Sequence, residues 1–220
     1  MSAVQPSRSA QVDRTESYGV EPAVEPAQSA QSAWGNSGPL CLIAFAAVTF
    51  MISLVNAGGV SSAVVPVIIS TGLIFGGTTQ LLGGLIQIRT GNTLNGALFS
   101  TFGGFWIVLA AYLQWFSKGV PPAQAGHATG LLLYTFAIVA AMFWLLSLRT
   151  TIASMLALSN LVLTLLLLAA GNYGGHTALL HIGGVTGMIL AGQALYMAAA
   201  EISEYAYGHS MLPLGRLNGR

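Results

Sequence analysis

Charge is what this chain lacks most. Only 6% of its 220 residues are Asp, Glu, Lys or Arg, against roughly 25% in an average soluble domain. Residues 26–88 and 150–200 contain no charged side chain at all. Charge this sparse cannot cover the surface of a water-soluble globule. The net charge is +1 and no basic cluster exists to meet phosphates, so nucleic acid is excluded as a partner. The one cysteine, Cys41, has no partner for an intrachain disulfide and reads as a small buried residue. The spacing of His and Cys offers no metal set, and no Ser/His/Asp set falls at membrane depth, so no enzyme, cofactor or metal is expected.

Apolar runs fill the rest. Runs of ~20 apolar residues are long enough to cross a bilayer core of about 30 Å. They are continuous, where a barrel strand would alternate. The sequence therefore predicts an all-α, polytopic membrane protein with six spans, near residues 39–55, 64–88, 95–116, 128–147, 152–170 and 177–200. Pro39 and Pro66 sit where a helix start tolerates proline. Residues 1–35 are rich in Ser, Ala, Gln, Pro and Glu and are expected to be a disordered cytoplasmic tail. They are not read as a signal peptide, because Asp13, Glu16, Glu21 and Glu25 stand where a basic segment should be. Residues 36–204 are expected to form the six-helix transmembrane domain, and 205–220 a short cytoplasmic tail.

Six spans put both termini on one side. Arg8, Arg14, Arg89, Arg149, Arg216 and Arg220 share that side, and Lys118 alone faces the other. By the positive-inside rule both termini are cytoplasmic, in a multi-pass protein of the plasma membrane.

Polar and small residues recur inside the spans at helical spacing. The first carries Phe45, Thr49, Ile52 and Asn56. The second carries Gly76, Gln80, Gly83, Gly84 and Gln87. Asn92, Asn95, Phe99, Phe102 and Trp106 follow, then Asn160, Leu161, Thr164 and Leu168. In the sixth, Gly183, Gly187 and Ala191 make a small-residue ridge, read as a close-contact face between protomers. Packing alone accounts for any single position, since small residues let membrane helices approach and amides hydrogen-bond across the contact. Amides on several spans exceed what packing needs, because each one buried without a partner costs about 1–3 kcal/mol. A shared polar path would satisfy them together.

No carboxylate lies within the spans before Glu201. Proton coupling must then use the permeant's own proton, His181, or Glu201 at the rim. His181 and Glu201 are the candidate proton-relay residues. His127, His176 and His209 fall in loops or the tail.

These residues resemble the acetate uptake transporter family, the succinate–acetate permeases and their fungal relatives. The family's entry motif, Asn-Pro-Ala-Pro-Leu-Gly-Leu, appears as Asn36-Ser37-Gly38-Pro39-Leu40-Cys41-Leu42. Its other segments match Gly76-Gly77-Thr78-Thr79-Gln80, Gly91-Asn92-Thr93, Phe102-Gly103-Gly104-Phe105-Trp106 and Leu212-Pro213-Leu214-Gly215. The resemblance implies six helices enclosing a pore in each protomer of a homo-hexamer. It implies passage of acetate and other small carboxylates such as succinate, as a proton-coupled symport or a channel-like anion flow, with the bilayer and protons as the other partners. It also implies a hydrophobic constriction, carried over as Phe45, Phe102 and Leu161. Thr49, Gln80, Asn92, Asn95 and Thr164 are the expected substrate contacts, taken from the polar seams. Phe102 stands where the family usually has Tyr, which predicts a drier constriction, slower for anions. The alternative readings are a channel for another weak acid or ammonia, and a membrane scaffold or sensor that transports nothing.

Overall fold

The computed structural model describes residues 34–209 and 211–215, so residues 1–33 of the tail expected at 1–35, and Arg216 and Arg220, lie outside the described residues. Six helices long and apolar enough to cross a membrane follow one another: Gly38–Asn56, Ser62–Arg89, Thr93–Gly119, Pro122–Ser147, Ile152–Gly174 and Thr177–Tyr207. They are called the first to sixth spans below. Each contains its expected segment. The last helix runs on to Tyr207, beyond the Glu201 and Glu204 expected to end it, and stops at Gly208 in the left-handed region (φ 75°). Glycine reaches that conformation without strain.

Local signals start the helices. Pro39 occupies the first turn of the first span. The Asn92 side chain caps the third, accepting from Asn95 N at 3.3 Å. Thr151 caps the fifth, accepting from Ser154 N at 3.1 Å. The next two N–H groups there find an unexpected partner. Ile152 N donates to Gly215 O at 2.7 Å and Ala153 N to Leu214 O at 3.0 Å. The C-terminal segment thus folds back to cover a helix end that would otherwise lack acceptors.

The second span is not one regular helix. A 3₁₀ turn at Ser62–Val64 leads into an α-helical stretch Val65–Thr71, then a π-helical stretch Gly72–Thr79, then α-helix again from Gln80 to Arg89. The wide turn is supported locally. The Thr78 and Thr79 hydroxyls donate to carbonyls five residues back, Leu73 O at 3.0 Å and Ile74 O at 3.3 Å. Hydrophobic periodicity did not reveal this break, because the apolar pattern runs through it unchanged. Such single π segments often mark functional positions, and this one delivers Gln80 at its end.

Close approach of the helices rests on small residues. A side chain at Gly77 would meet Ile107, and one at Gly84 would meet the Ser100 backbone, so the second and third spans touch nearly backbone to backbone. Gly83 leaves room for Cys41, which is fully buried and directs its thiol at Gln80 O, 3.7 Å away. The ridge on the sixth span is used within the chain. Gly183 lies against Leu168, Gly184 against the Ser53–Ala57 backbone, and Gly187 against Ser53. That corrects the expectation that Gly183 and Gly187 face another protomer. Both are buried inside this one, because the first and fifth spans pack into the groove they make.

Candidate functional site

Two cavities enter the bundle from opposite ends. One, of about 270 Å³, opens among Asn92, Asn95, Thr150, Thr151, Glu201 and Leu214. These lie in the connections and helix ends on the side of the termini, and this cavity is called the inner one below. The other, of about 250 Å³, reaches Asn56, Val65, Leu113, Thr129 and Asn172 at the opposite ends of the spans, and is the outer cavity. Four residues line both: Phe45, Phe102, Leu161 and Leu190. They are the apolar collar where the two cavities approach each other.

The collar is held rigidly. Phe102 is 2% exposed. Its ring packs against Phe105, Phe136 and Phe143 with centroids 6.1, 6.3 and 6.5 Å away. Phe45 packs against Trp106 at 6.5 Å. Such tilted aromatic contacts add roughly 0.5–1.5 kcal/mol each beyond burial. The three residues carried over as a constriction therefore stand together at the boundary of the two cavities. Leu190 completes the set, and sequence reasoning missed it. In the sixth span only the glycines and His181 stand out by residue type. Leucine in a leucine-rich membrane helix carries no signal of its own.

The expected substrate contacts divide between the two sides. Gln80, Asn92 and Asn95 line the inner cavity, and Thr49 and Thr164 line the outer. Gln80 Oε1 and Thr49 Oγ1 are both buried without a hydrogen-bond partner. An unpaired buried polar atom costs about 1–3 kcal/mol, so each is poised for a partner from the cavity beside it. Asn92 has already spent its oxygen on capping the third span.

The other seam residues turn elsewhere. Gln87 is buried but lines neither cavity, its amide against Asn36, 2.5 Å away, and against the Gly38 N–H. Asn36 Nδ2 in turn donates to Glu201 at 2.8 Å, and Ser37 Oγ donates to Gly83 O at 2.7 Å. The entry motif thus ties the first span to the second and sixth. Asn160 leaves the path, donating to Thr186 O at 3.0 Å and to Gln193 Oε1 at 3.1 Å across the contact with the sixth span.

The two candidate proton-relay residues part company. Glu201 lines the inner cavity. His181 is exposed, about one turn into the sixth span beside Gly58, and lines neither cavity. No lining residue of either cavity is Lys or Arg, and Glu201 is the one charged residue among them. Among the described residues no group of His, Cys, Asp and Glu could hold a metal ion.

This arrangement can pass a small polar molecule whose size fits an aromatic and leucine collar and whose polar atoms are met by amides and hydroxyls before and after it. Comparison with known proteins points the same way. The chain is 29% identical over 180 residues to the succinate-acetate/proton symporter SatP of Escherichia coli, covering 82% of this chain and 95% of that protein. It is 32% identical over 177 residues to the ammonia transport outward protein 2 of Saccharomyces cerevisiae, covering 77% of this chain and 62% of that protein. Acetate permease A of Emericella nidulans is 29% identical over 196 residues, covering 82% of this chain and 66% of that protein. The solved structure of the bacterial acetate channel SatP superposes with a TM-score of 0.77 at 28% identity, over 83% of this chain and 99% of that one. The model of the GPR1/FUN34/yaaH family matches residues 18–216. On that match this chain belongs to the GPR1/FUN34/yaaH family.

Proposed function

We propose that this protein transports acetate and other small carboxylates, succinate among them, across the plasma membrane. The observation that carries the reading is the pair of cavities that meet at Phe45, Phe102, Leu161 and Leu190, with Gln80 on one side and Thr49 and Thr164 on the other. Relatives named as a succinate-acetate/proton symporter, an acetate permease and an acetate channel support the same substrate class.

Each part of the path has a physical job. A carboxylate crossing an apolar ring without partners meets a large desolvation cost. The amides and hydroxyls below and above the collar shorten the stretch over which hydration is lost. The collar excludes hydrated ions, which cannot shed their water there. The flow is coupled to protons, since an acid that titrates near about pH 4–5 crosses such a ring far more easily when protonated. The protein works as a homo-hexamer, each protomer with its own path, and both termini are cytoplasmic, a placement that Arg89 and Arg149 on their side support.

Uptake of radiolabelled acetate into liposomes containing the purified protein tests this reading. One arm carries an inward acid gradient and one none, and empty liposomes correct for leak of acetic acid through lipid. The expected result is saturable uptake above leak that grows with the gradient. No uptake above leak from a folded oligomer would overturn it. Release of ammonia in the same liposomes, without acetate uptake, would favour the alternative permeant.

A further inference from the structure

We infer that Trp106 binds the permeant's carboxylate: its indole N–H and the Thr49 hydroxyl make a two-donor subsite one helical turn outside the collar. The inference rests on the transport reading above and adds a residue to its path.

The placement follows from helix geometry. The first and third spans both run from the inner cavity to the outer one. Thr49 follows Phe45 by four residues, and Trp106 follows Phe102 by four. Four residues advance an α-helix by about 6 Å and return to nearly the same face. Each therefore stands one turn outward of a collar residue on its own helix, and both line the outer cavity. Thr164, three residues past Leu161 on the fifth span, is the third polar residue at this level.

The Trp106 ring is fixed in place. It packs against Phe45 and Phe105 with centroids 6.5 and 5.2 Å away. Two glycines of the π-helical stretch make room for it. A Cβ at Gly76 would lie 3.3 Å from Trp106 Cγ, and one at Gly72 would lie 3.9 Å from its Cε3.

Hydrogen bonding sets these residues apart. Trp106 is 6% exposed and Thr49 5%, and neither Trp106 Nε1 nor Thr49 Oγ1 has a hydrogen-bond partner. A buried indole N–H usually finds one. Trp144 Nε1 is unpartnered too, but Trp144 lines neither cavity. Thr164 donates to Thr186 Oγ1 at 2.9 Å, and the Thr186 hydroxyl donates to Gly183 O at 3.0 Å. Ser53, Asn56 and Asn172 also line the cavity, one or two turns farther toward its mouth. At the last level before the collar, the free hydrogens are those of Trp106 and Thr49. An indole N–H donates and never accepts. A carboxylate, which has acceptors only, takes both hydrogens and so replaces part of the water it gives up. Ammonium has donors only and gains nothing from Trp106.

Two readouts test this. Protein labelled with nitrogen-15 tryptophan should show four indole N–H resonances, one per tryptophan. The Trp34→Phe, Trp106→Phe, Trp115→Phe and Trp144→Phe variants assign them. At pH 7 fewer than about one acetate molecule in a hundred is neutral, so sodium acetate presents the carboxylate. It should move the Trp106 resonance downfield and saturably, and ammonium chloride at the same concentration should leave it in place. In liposomes, Trp106→Phe keeps an aromatic ring and loses the N–H. It should raise the KM for acetate about tenfold, the factor one hydrogen bond to a charged group brings. Thr49→Val should do the same, and Trp144→Phe should keep the wild-type KM.

A Trp106 resonance that acetate does not move overturns the inference, and so does an equal shift with ammonium chloride. A Trp106→Phe KM within about twofold of wild type overturns it as well. In each case saturable wild-type uptake leaves the transport reading standing. If Trp106→Phe does not fold, the other three variants assign the Trp106 resonance by elimination. Absence of wild-type uptake above leak removes the transport reading, and the resonance then decides the subsite alone.

Discussion

Leu190→Ala is the sharpest test of the collar. Leu190 is 2% exposed and borders both cavities, yet nothing in the sequence marks it. The substitution removes three carbons, about 2.4 kcal/mol of burial at ~0.8 kcal/mol each. The site already faces voids on two sides, so the loss should stay at the lower end of the roughly 2–5 kcal/mol seen for such truncations. The gain is in passage. An unpartnered polar group in an apolar ring costs about 1–3 kcal/mol, and the opened space admits about one water of ~30 Å³. A water that recovers about half of that cost lowers the barrier by ~0.5–1.5 kcal/mol, so acetate uptake should rise between about twofold and tenfold. Leu190→Ile keeps the volume and should stay near wild type. Leu195→Ala, at a position 49% exposed on the same helix, is the comparison for unspecific effects. The assay is initial uptake per folded protein in liposomes, with thermal melting in detergent run beside it. Uptake at or below wild type, from Leu190→Ala protein that still melts cooperatively, would refute a rate-limiting collar.

Three other changes probe different parts of the reasoning. Phe102→Tyr adds a hydroxyl to the collar and should raise succinate and acetate rates by severalfold, about what one neutral hydrogen bond brings; unchanged rates for both would contradict it. Gly184→Ala places a Cβ 2.7 Å from the Ser53 carbonyl oxygen, which cannot swing aside, and should cost about 1–3 kcal/mol; an unchanged melting midpoint would show that the first and sixth spans are less tightly docked. Glu201→Gln removes the one charged residue lining the inner cavity. If the proton rides on the acid, uptake by this variant should keep its dependence on the acid gradient, and loss of that dependence would make Glu201 the coupling group.

Much of the site was legible from residue type. Thr49, Gln80 and Thr164 are too polar to bury idly, and all three reached a cavity. Gln87 and Asn160 belong to the same chemical class and did not. One is turned to Asn36 and the other to Thr186 and Gln193. Helical spacing assigns a face to each amide, but several neighbours can occupy that face, and only the packed partner decides whether it is a lumen or a helix. The glycine ridge of the sixth span shows the same limit. Gly183 and Gly187 were rightly marked for close contact, while the contacting helices lie within the chain.

The sequence by itself determined the membrane class and the number of spans. Both follow from local sums, since every backbone group in a bilayer must be satisfied within its own helix and ~20 apolar residues are needed to cross. It also determined which residue types would resent burial. The tertiary structure decided what depends on distant pairs. It decided that Leu190 joins Phe45, Phe102 and Leu161 at one level, and that the C-terminal carbonyls cover the start of the fifth span. It also decided that the hydrogen of Thr164 is taken by Thr186, 22 residues along the chain. Composition and period record what each helix must bury. The direction of a shared hydrogen bond is fixed only when the acceptor from another helix arrives.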